Sequence, residues 1–176
     1  MVYRFCVGKA RKGLVLKKYI PFIIFCILTL FWVGFIFANS AQTGEESGAA
    51  SSAVVEAIEN ILEKIGFDSD VSERLVRKLA HFLEYMILSL LVSADIIFVL
   101  PKAAFTYKKY SIFLISPIFS LLIACVDEFC VQALTVGRGP SFRDVCIDTA
   151  GGLTGALVFV FTVFIVSVIR KRKKVS

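Results

Sequence analysis

Histidine and charged residues are scarce in this chain, and their scarcity excludes several classes of metal and redox protein. Only 19% of the 176 residues are charged, and His81 is the single histidine. One histidine cannot supply an H-E-x-x-H zinc motif, and the five cysteines show no C-x-x-C spacing. We therefore expect the cysteines to be small buried hydrophobes, with a Cys130–Cys146 bridge as the alternative.

Apolar residues are abundant where charge is missing. They make up 57% of the chain, and the mean hydropathy is +0.80. A soluble domain would be nearer half apolar. The net charge of +6 is concentrated beside the apolar runs, which argues against nucleic acid as a partner. The length suits one domain, so we predict a single membrane domain over residues 1–176.

Four apolar segments predict four crossings of a lipid bilayer. A bilayer core requires about 20 apolar residues per helix. Proline cannot continue a helix interior, so Pro101 marks the end of the second segment. The predicted fold class is all-α, a polytopic four-helix membrane bundle. Its spans are about 19–38, 79–100, 110–135 and 146–169.

The distribution of Lys and Arg predicts the orientation of these spans. Basic residues cluster before the first span, between the second and third spans, and after the fourth. The first connection is acidic. The positive-inside rule therefore places both termini in the cytoplasm. The alternative for the first apolar run is a signal peptide cleaved near Ala38-Asn39-Ser40.

The first external connection is predicted to contain a short amphipathic helix. Ser51 or Ser52 is the expected N-cap and Gly66 the expected end. The helix would cover the bundle or lie on the membrane surface. Its apolar residues recur at helical spacing opposite Glu56, Glu59 and Glu63, and they are Val54, Val55, Ile58, Ile61, Leu62 and Ile65.

Ionisable residues from distant parts of the sequence are predicted to meet at the outer end of the bundle. Arg77, His81 and Glu84 share one face of a helix. Nearly balanced basic and acidic residues suggest mutual pairing, because an unpaired intramembrane charge is costly. Asp95 is the exception, expected near Lys102 at the inner end. The candidate polar site comprises Arg77, His81, Glu84, Asp127, Glu128, Gln132, Arg138, Asp144 and Asp148.

Several interpretations of this polar site remain open at the level of sequence. His81 and a carboxylate could act as general acid and base. Although no cofactor is required, a divalent cation could bind His81, Glu84, Asp127 and Glu128. The charges could also be a network that only sets helix register. The Gly-x-x-x-Gly segment at 151–155 predicts close packing of the fourth span inside the protein in preference to homodimerisation, and the oligomeric state stays open.

The same segments resemble the VanZ-like family. The matching stretches are FANSAQTGEES at 37–47, RKLAHFLEY at 77–85, DEFCVQ at 127–132 and GRGPSFRDVCIDTAGGLTG at 137–155. Two departures are visible. The usual Asp-Glu-x-x-Gln pattern has an extra residue before Gln132, and Val136 replaces the usual proline before Gly-Arg.

The resemblance implies a bacterial cytoplasmic-membrane protein with a link to low-level teicoplanin resistance. It implies no defined reaction, so the partner could be a lipoglycopeptide or a lipid-linked cell-wall precursor. The alternatives are an intramembrane enzyme that modifies such a substrate and a structural or partner-binding membrane protein. The positions that the resemblance places in a shared site are His81, Glu84, Asp127, Glu128, Arg138, Asp144 and Asp148.

Overall fold

The computed structural model describes the backbone of residues 2–64, 72–100 and 105–175, and the side-chain surroundings of 19–64, 72–100 and 107–173. Its long helices are α1 (Val2–Ser40), α2 (Gly44–Lys64), α3 (Glu73–Val99), α4 (Phe105–Val126) and α5 (Phe142–Val175). A π-helical turn (Asp127–Val131) and a 3-10 turn (Gln132–Leu134) follow α4. These ranges contain no β-strand.

Four of the helices are long and apolar enough to cross a bilayer, which confirms the predicted four-span bundle. The candidate spans are Tyr19–Ser40, Glu73–Val99, Tyr107–Leu134 and Phe142–Lys173. Large apolar side chains face outward, as in Leu30 (72% exposed) and Phe31 (69%). Such exposure suits lipid, because acyl chains are as apolar as these side chains. The chain is therefore a multi-pass membrane protein.

The third and fifth helices begin earlier than the spans that hydropathy predicted. Helix α3 starts at Glu73 and α5 at Phe142, so Arg77 and Asp144 lie inside helices. Hydropathy underestimates these helices because their first turns carry polar side chains. Those polar turns form one end of the bundle, which we call the polar end. It is also where α1 ends and where α4 passes into the π-helical turn.

Helix α3 is central and packs against α1, α4 and α5. Glycines bring α5 into backbone contact with it. A Cβ at Gly151 would collide with the carbonyl oxygen of Phe82, and one at Gly155 with that of Met86. Small residues allow such approach between membrane helices. The predicted packing of the Gly-x-x-x-Gly segment inside the protein is confirmed.

The amphipathic helix begins earlier than predicted, so the proposed caps at Ser51 and Ser52 are wrong. A capping box starts α2 at Thr43: its hydroxyl accepts from the Glu46 N–H (3.2 Å), and its N–H donates to the Glu46 carboxylate (2.9 Å). Ser51 and Ser52 lie inside the helix, where their hydroxyls donate to carbonyls four residues earlier. Gly66 lies outside the described residues.

The face that α2 buries is small and polar rather than apolar. Ser47 and Ser51 are buried, whereas Val54 is 47% and Ile61 61% exposed. The start of α2 is held to the connection between α4 and α5, because the Gly44 N–H donates to the Val136 carbonyl (3.0 Å). Thus α2 folds over the polar end of the bundle.

The backbone conformation of the connection between α4 and α5 depends on one glycine. Gly137 has φ +77°, in the left-handed region that favours glycine. A Cβ on the facing Gly44 would lie 2.6 Å from the Gly137 carbonyl oxygen, so the two backbones are in close contact. This turn sets the position of the following residue, Arg138.

Two further expectations, for the cysteines and for Asp95, also change. The described cysteines are free, and Cys130 and Cys146 are exposed rather than buried or bridged. A thiol behaves as a small hydrophobe and is tolerated on a lipid-facing surface. Asp95 accepts a hydrogen bond from Thr29 of α1 (2.8 Å), and Lys102 lies outside the described residues.

We expect Gly155→Ala to destabilise the bundle by about 1–3 kcal/mol, the usual cost of overpacking. The matched control is Gly34→Ala, since a Cβ there meets nothing within 4 Å. Thermal unfolding of the two variants in detergent, followed by size-exclusion chromatography, measures the difference. Equal melting temperatures would contradict the tight α3–α5 contact.

Acid should loosen the start of α2. The hydrogen bonds from the Thr43 N–H and hydroxyl hold the pKa of Glu46 below its ordinary value. Their stabilisation is therefore present above the ordinary carboxyl pKa and is lost as the pH falls through the lowered value. At neutral pH, Glu46→Ala should reduce hydrogen-exchange protection in the first turns of α2, while Glu45→Ala retains it. Equal protection in the two variants would rule out the capping box.

Candidate functional site

The polar end contains a cavity of about 380 Å³. Helices α3 and α5, the 3-10 turn and the connection after that turn contribute to it, and its lining holds five basic and two acidic side chains. The predicted site residues on its wall are Arg77, His81, Gln132, Arg138, Asp144 and Asp148. Further residues of the wall include Arg74, Lys78, Ser141 and Arg143. The structure thus brings together six residues that the sequence singled out from distant segments.

A second cavity of about 220 Å³ lies beneath the start of α2. It shares Arg77, His81 and Arg138 with the larger cavity and adds Glu84 to its wall. The three shared side chains therefore separate the two spaces. Small polar residues of α1 and α2, Asn39 and Ser47, complete the wall on the side of α2.

The π-helical turn carries two deeply buried acids, Asp127 (0% exposed) and Glu128 (1%). The Gln132 amide donates to both, at 3.0 Å to Asp127 Oδ2 and 2.6 Å to Glu128 Oε1. A π turn accommodates an added residue within a helix. The extra residue before Gln132 therefore leaves this side chain in contact with both carboxylates.

Neutral donors hold the buried carboxylates. The Ser40 hydroxyl donates to Asp127 Oδ2 (2.7 Å), and the Asn39 amide donates to Glu84 Oε1 (2.7 Å). Glu128 Oε2 accepts from the Ser141 N–H at 2.9 Å. Asn39 and Ser40 stand at the cleavage position considered for a signal peptide, and cleavage there would separate α1 from the carboxylates it bonds.

The predicted mutual pairing of charges is wrong for most of the site. Across the described ranges, its ion pair is Lys78–Asp144 at 3.5 Å, while the His81 Nδ1 lies 3.8 Å from Glu84 Oε2 and pairs with it as an ion only when the imidazole is protonated. Arg138 instead donates to the Ser40 carbonyl (2.8 Å) and the Ser47 hydroxyl (2.9 Å). The Ser40 carbonyl ends α1, where a helix leaves carbonyls unsatisfied and attracts cations.

The side chains of Arg77 and Arg138 both line the cavity wall. Burial, together with the nearby Arg77 guanidinium, lowers the pKa of Arg138 from its ordinary value. Arginine remains charged at every physiological pH, so the two side chains repel each other. The Arg77 Nε is buried without a hydrogen-bond partner. This wall of the cavity is therefore suited to an anion.

The floor of the site contains polar atoms without partners. Both Asp148 carboxylate oxygens, Asp127 Oδ1, Glu84 Oε2 and the His81 Nδ1 are buried and accept or donate no hydrogen bond. One ligand atom from each of His81, Asp127 and Asp148 lies within 4.8 Å of the others. Of the four residues in the sequence-based cation set, Glu84 and Glu128 lie outside this group, and Asp148 joins His81 and Asp127 instead.

Sequence reasoning missed five residues of the site. Their roles were hidden because small hydroxyl and amide side chains carry no charge signal. The resemblance over 37–47 was the one clue to the first three. The missed residues are Asn39, Ser40, Ser47, Ser141 and Tyr85. The Tyr85 side chain is fully buried, and its hydroxyl has no hydrogen-bond partner.

Comparison with known proteins assigns the chain to a family. The VanZ/LLP1 family model matches residues 25–165, which include most of the chain and every candidate site residue. No curated protein and no solved structure matches the chain. A family match of this extent, over four spans with the polar end inside it, identifies the chain. It belongs to the VanZ/LLP1 family.

Proposed function

We propose that this protein binds the anionic head group of a lipid-linked envelope molecule at the outer face of the bacterial cytoplasmic membrane. The observation that carries the proposal is the basic cavity at the polar end of an apolar bundle. Five basic side chains line it: Arg74, Arg77, Lys78, Arg138 and Arg143. A soluble anion would need no membrane scaffold, whereas a lipid-linked anion meets this cavity at the membrane interface.

The chemistry of the cavity wall favours a phosphate-bearing group. Arginine presents a planar fork of donors that matches phosphate oxygens. Arg77 and Arg138 lie close enough to repel each other, and an anion between them would relieve that repulsion. The unpartnered Arg77 Nε supplies a free donor for it.

Apolar residues at the same end suit the lipid portion of such a ligand. Leu75 and Leu79 on α3 are 63% and 54% exposed, and Phe142 at the start of α5 is 73% exposed. These side chains flank the helices that supply Arg77 and Asp144 to the cavity. A head group in the cavity would therefore leave its chain against lipid-facing protein.

The orientation rests on the positive-inside rule. The basic residues before the first span, at the start of α4 and in the last turns of α5 belong to the end opposite the cavity. Both termini are then cytoplasmic, and the cavity opens outward. Lipid-linked cell-wall precursors and lipoglycopeptides of the teicoplanin type meet at that face. Binding of either one would lower susceptibility to the drug.

A second candidate is an intramembrane enzyme that modifies the same class of substrate. The His81 Nδ1 lies 3.8 Å from Glu84 Oε2, and neither atom has a hydrogen-bond partner. An imidazole beside a carboxylate is a common acid–base arrangement. Mass spectrometry of envelope lipids with and without the protein separates the two, because a binder leaves lipid structures unchanged. A purely structural protein would neither bind nor change them.

We expect Arg77→Gln to weaken binding of a polyprenyl phosphate in nanodiscs about tenfold, since a charged hydrogen bond contributes about 1.5–3 kcal/mol. Arg170→Gln, at the opposite end of α5, is the matched control and should bind like the unaltered protein. Teicoplanin susceptibility of cells with each variant gives the physiological readout. Equal binding of a neutral polyprenol, or unaltered affinity in Arg77→Gln, would exclude the proposal.

The orientation is tested by single cysteines in a background without the native ones. Val136 is 79% and Tyr107 60% exposed, at opposite ends of the third span. A membrane-impermeant maleimide added to intact cells should label Val136→Cys and should reach Tyr107→Cys only after lysis. The reverse labelling pattern would show that the protein has the opposite orientation in the membrane, and it would refute an outward-facing cavity.

A further inference from the structure

The polar end buries more carboxylate than its cations neutralise. Asp127 and Asp148 are fully buried, and neither forms an ion pair within the described part of the chain. A buried carboxylate without a compensating charge is strongly disfavoured. Arg138 attracts Asp127 electrostatically but forms no ion pair with either acid within the described residues, and its hydrogen bonds go to Ser40 and Ser47. These acids therefore require either protons or a cation.

Hydrogen bonds already account for part of this acidic group. Glu128 uses both oxygens, one with Gln132 and one with the Ser141 N–H. Asp127 uses one oxygen and keeps Oδ1 free, whereas Asp148 keeps both oxygens free. Each of these two side chains is completely buried and aimed at the same point as the His81 imidazole.

We propose that His81, Asp127 and Asp148 bind one divalent transition-metal ion, Zn²⁺ or Mn²⁺. An imidazole nitrogen and carboxylate oxygens are the donors that these ions take in proteins. Two carboxylates also balance the charge of a divalent ion. The ion would therefore supply the positive charge that the buried carboxylates lack. This goes beyond head-group binding, and metal binding can be measured whether or not a head group binds.

The spacing of the donor atoms fits such an ion after small side-chain rotations. Ligands about 2.1 Å from a tetrahedral metal lie about 3.4 Å apart. The three donor atoms lie within 4.8 Å of one another. The Glu84 carboxylate, 3.8 Å from the His81 Nδ1, is placed to orient the imidazole, as carboxylates do beside histidine ligands.

The position of the ligands would leave the ion open to the cavity. His81 and Asp148 form part of its wall, whereas Asp127 lies behind them. Three protein ligands with one open position are typical of metal sites that contact a substrate. If the proposed function holds, the phosphate held by Arg77 and Arg138 would reach that open position.

The test measures metal content in the purified, full-length protein in detergent without any added lipid head group. The protein is stripped with a chelator, dialysed against Zn²⁺ or Mn²⁺ and analysed by elemental mass spectrometry. We expect one ion per chain for the unaltered protein. Asp148→Asn and His81→Gln should bind about tenfold or more weakly. Asp95→Asn, which removes a carboxylate bonded to Thr29, should bind normally.

If the variants fail to fold, a second measurement on the unaltered protein still tests the proposal. Co²⁺ in place of the native ion should give visible absorption bands of a low-symmetry site with a nitrogen ligand, and these should disappear on addition of Zn²⁺. Absence of stoichiometric metal in the unaltered protein, or equal affinity in Asp148→Asn, would overturn the site and leave a shared proton as the explanation. Metal binding that survives in Arg77→Gln while lipid binding is lost separates this inference from the proposed function.

Discussion

The contact of α5 with the backbone of α3 is the constraint on which the polar end depends. Gly151 lies against the Phe82 carbonyl, and Gly155 lies one turn further along both helices against that of Met86. Phe82 follows His81 in the chain, and Asp148 lies one helical turn before Gly151 and Gly152. The glycine contact therefore determines that the His81 and Asp148 side chains face the same point. A larger residue at Gly151 would separate the helices at the level of the site.

The surroundings of the protein explain why its polar groups gather at one end. In a bilayer, every buried polar group must find its partner within the protein. At the polar end, those partners are small neutral side chains from three elements: Asn39 and Ser40 of α1, Gln132 after the π-helical turn, and the Ser141 backbone. Neutral donors stabilise carboxylates without cancelling their charge. The remaining charge is left for a proton, a cation or a ligand.

Much of the candidate site could be predicted, because helix periodicity and the order of the apolar spans follow directly from the sequence. Arg77, His81 and Glu84 share a face in any helix, and a third span that runs opposite to the second necessarily carries Asp127 to the end that they occupy. The hydrogen-bond partners of the charged side chains could not be predicted in this way. Nearly equal numbers of charges suggested pairing, yet Arg138 bonds a helix-terminal carbonyl because the turn at Gly137 directs it there. The start of α2 differs from the prediction for a local reason. The capping box between Thr43 and Glu46 begins the helix two turns before the predicted caps at Ser51 and Ser52.

The sequence alone determined the four spans, the membrane setting and the end of the bundle at which polar residues collect. These follow from hydropathy and helix periodicity, which act within each segment. Only the tertiary structure decided which carboxylates are satisfied and which are left without partners. That outcome depends on hydrogen bonds between residues far apart in the chain, such as Ser40 with Asp127 and Asn39 with Glu84. Asp148 stands out for the same reason: no property of its own segment shows that both its oxygens remain free.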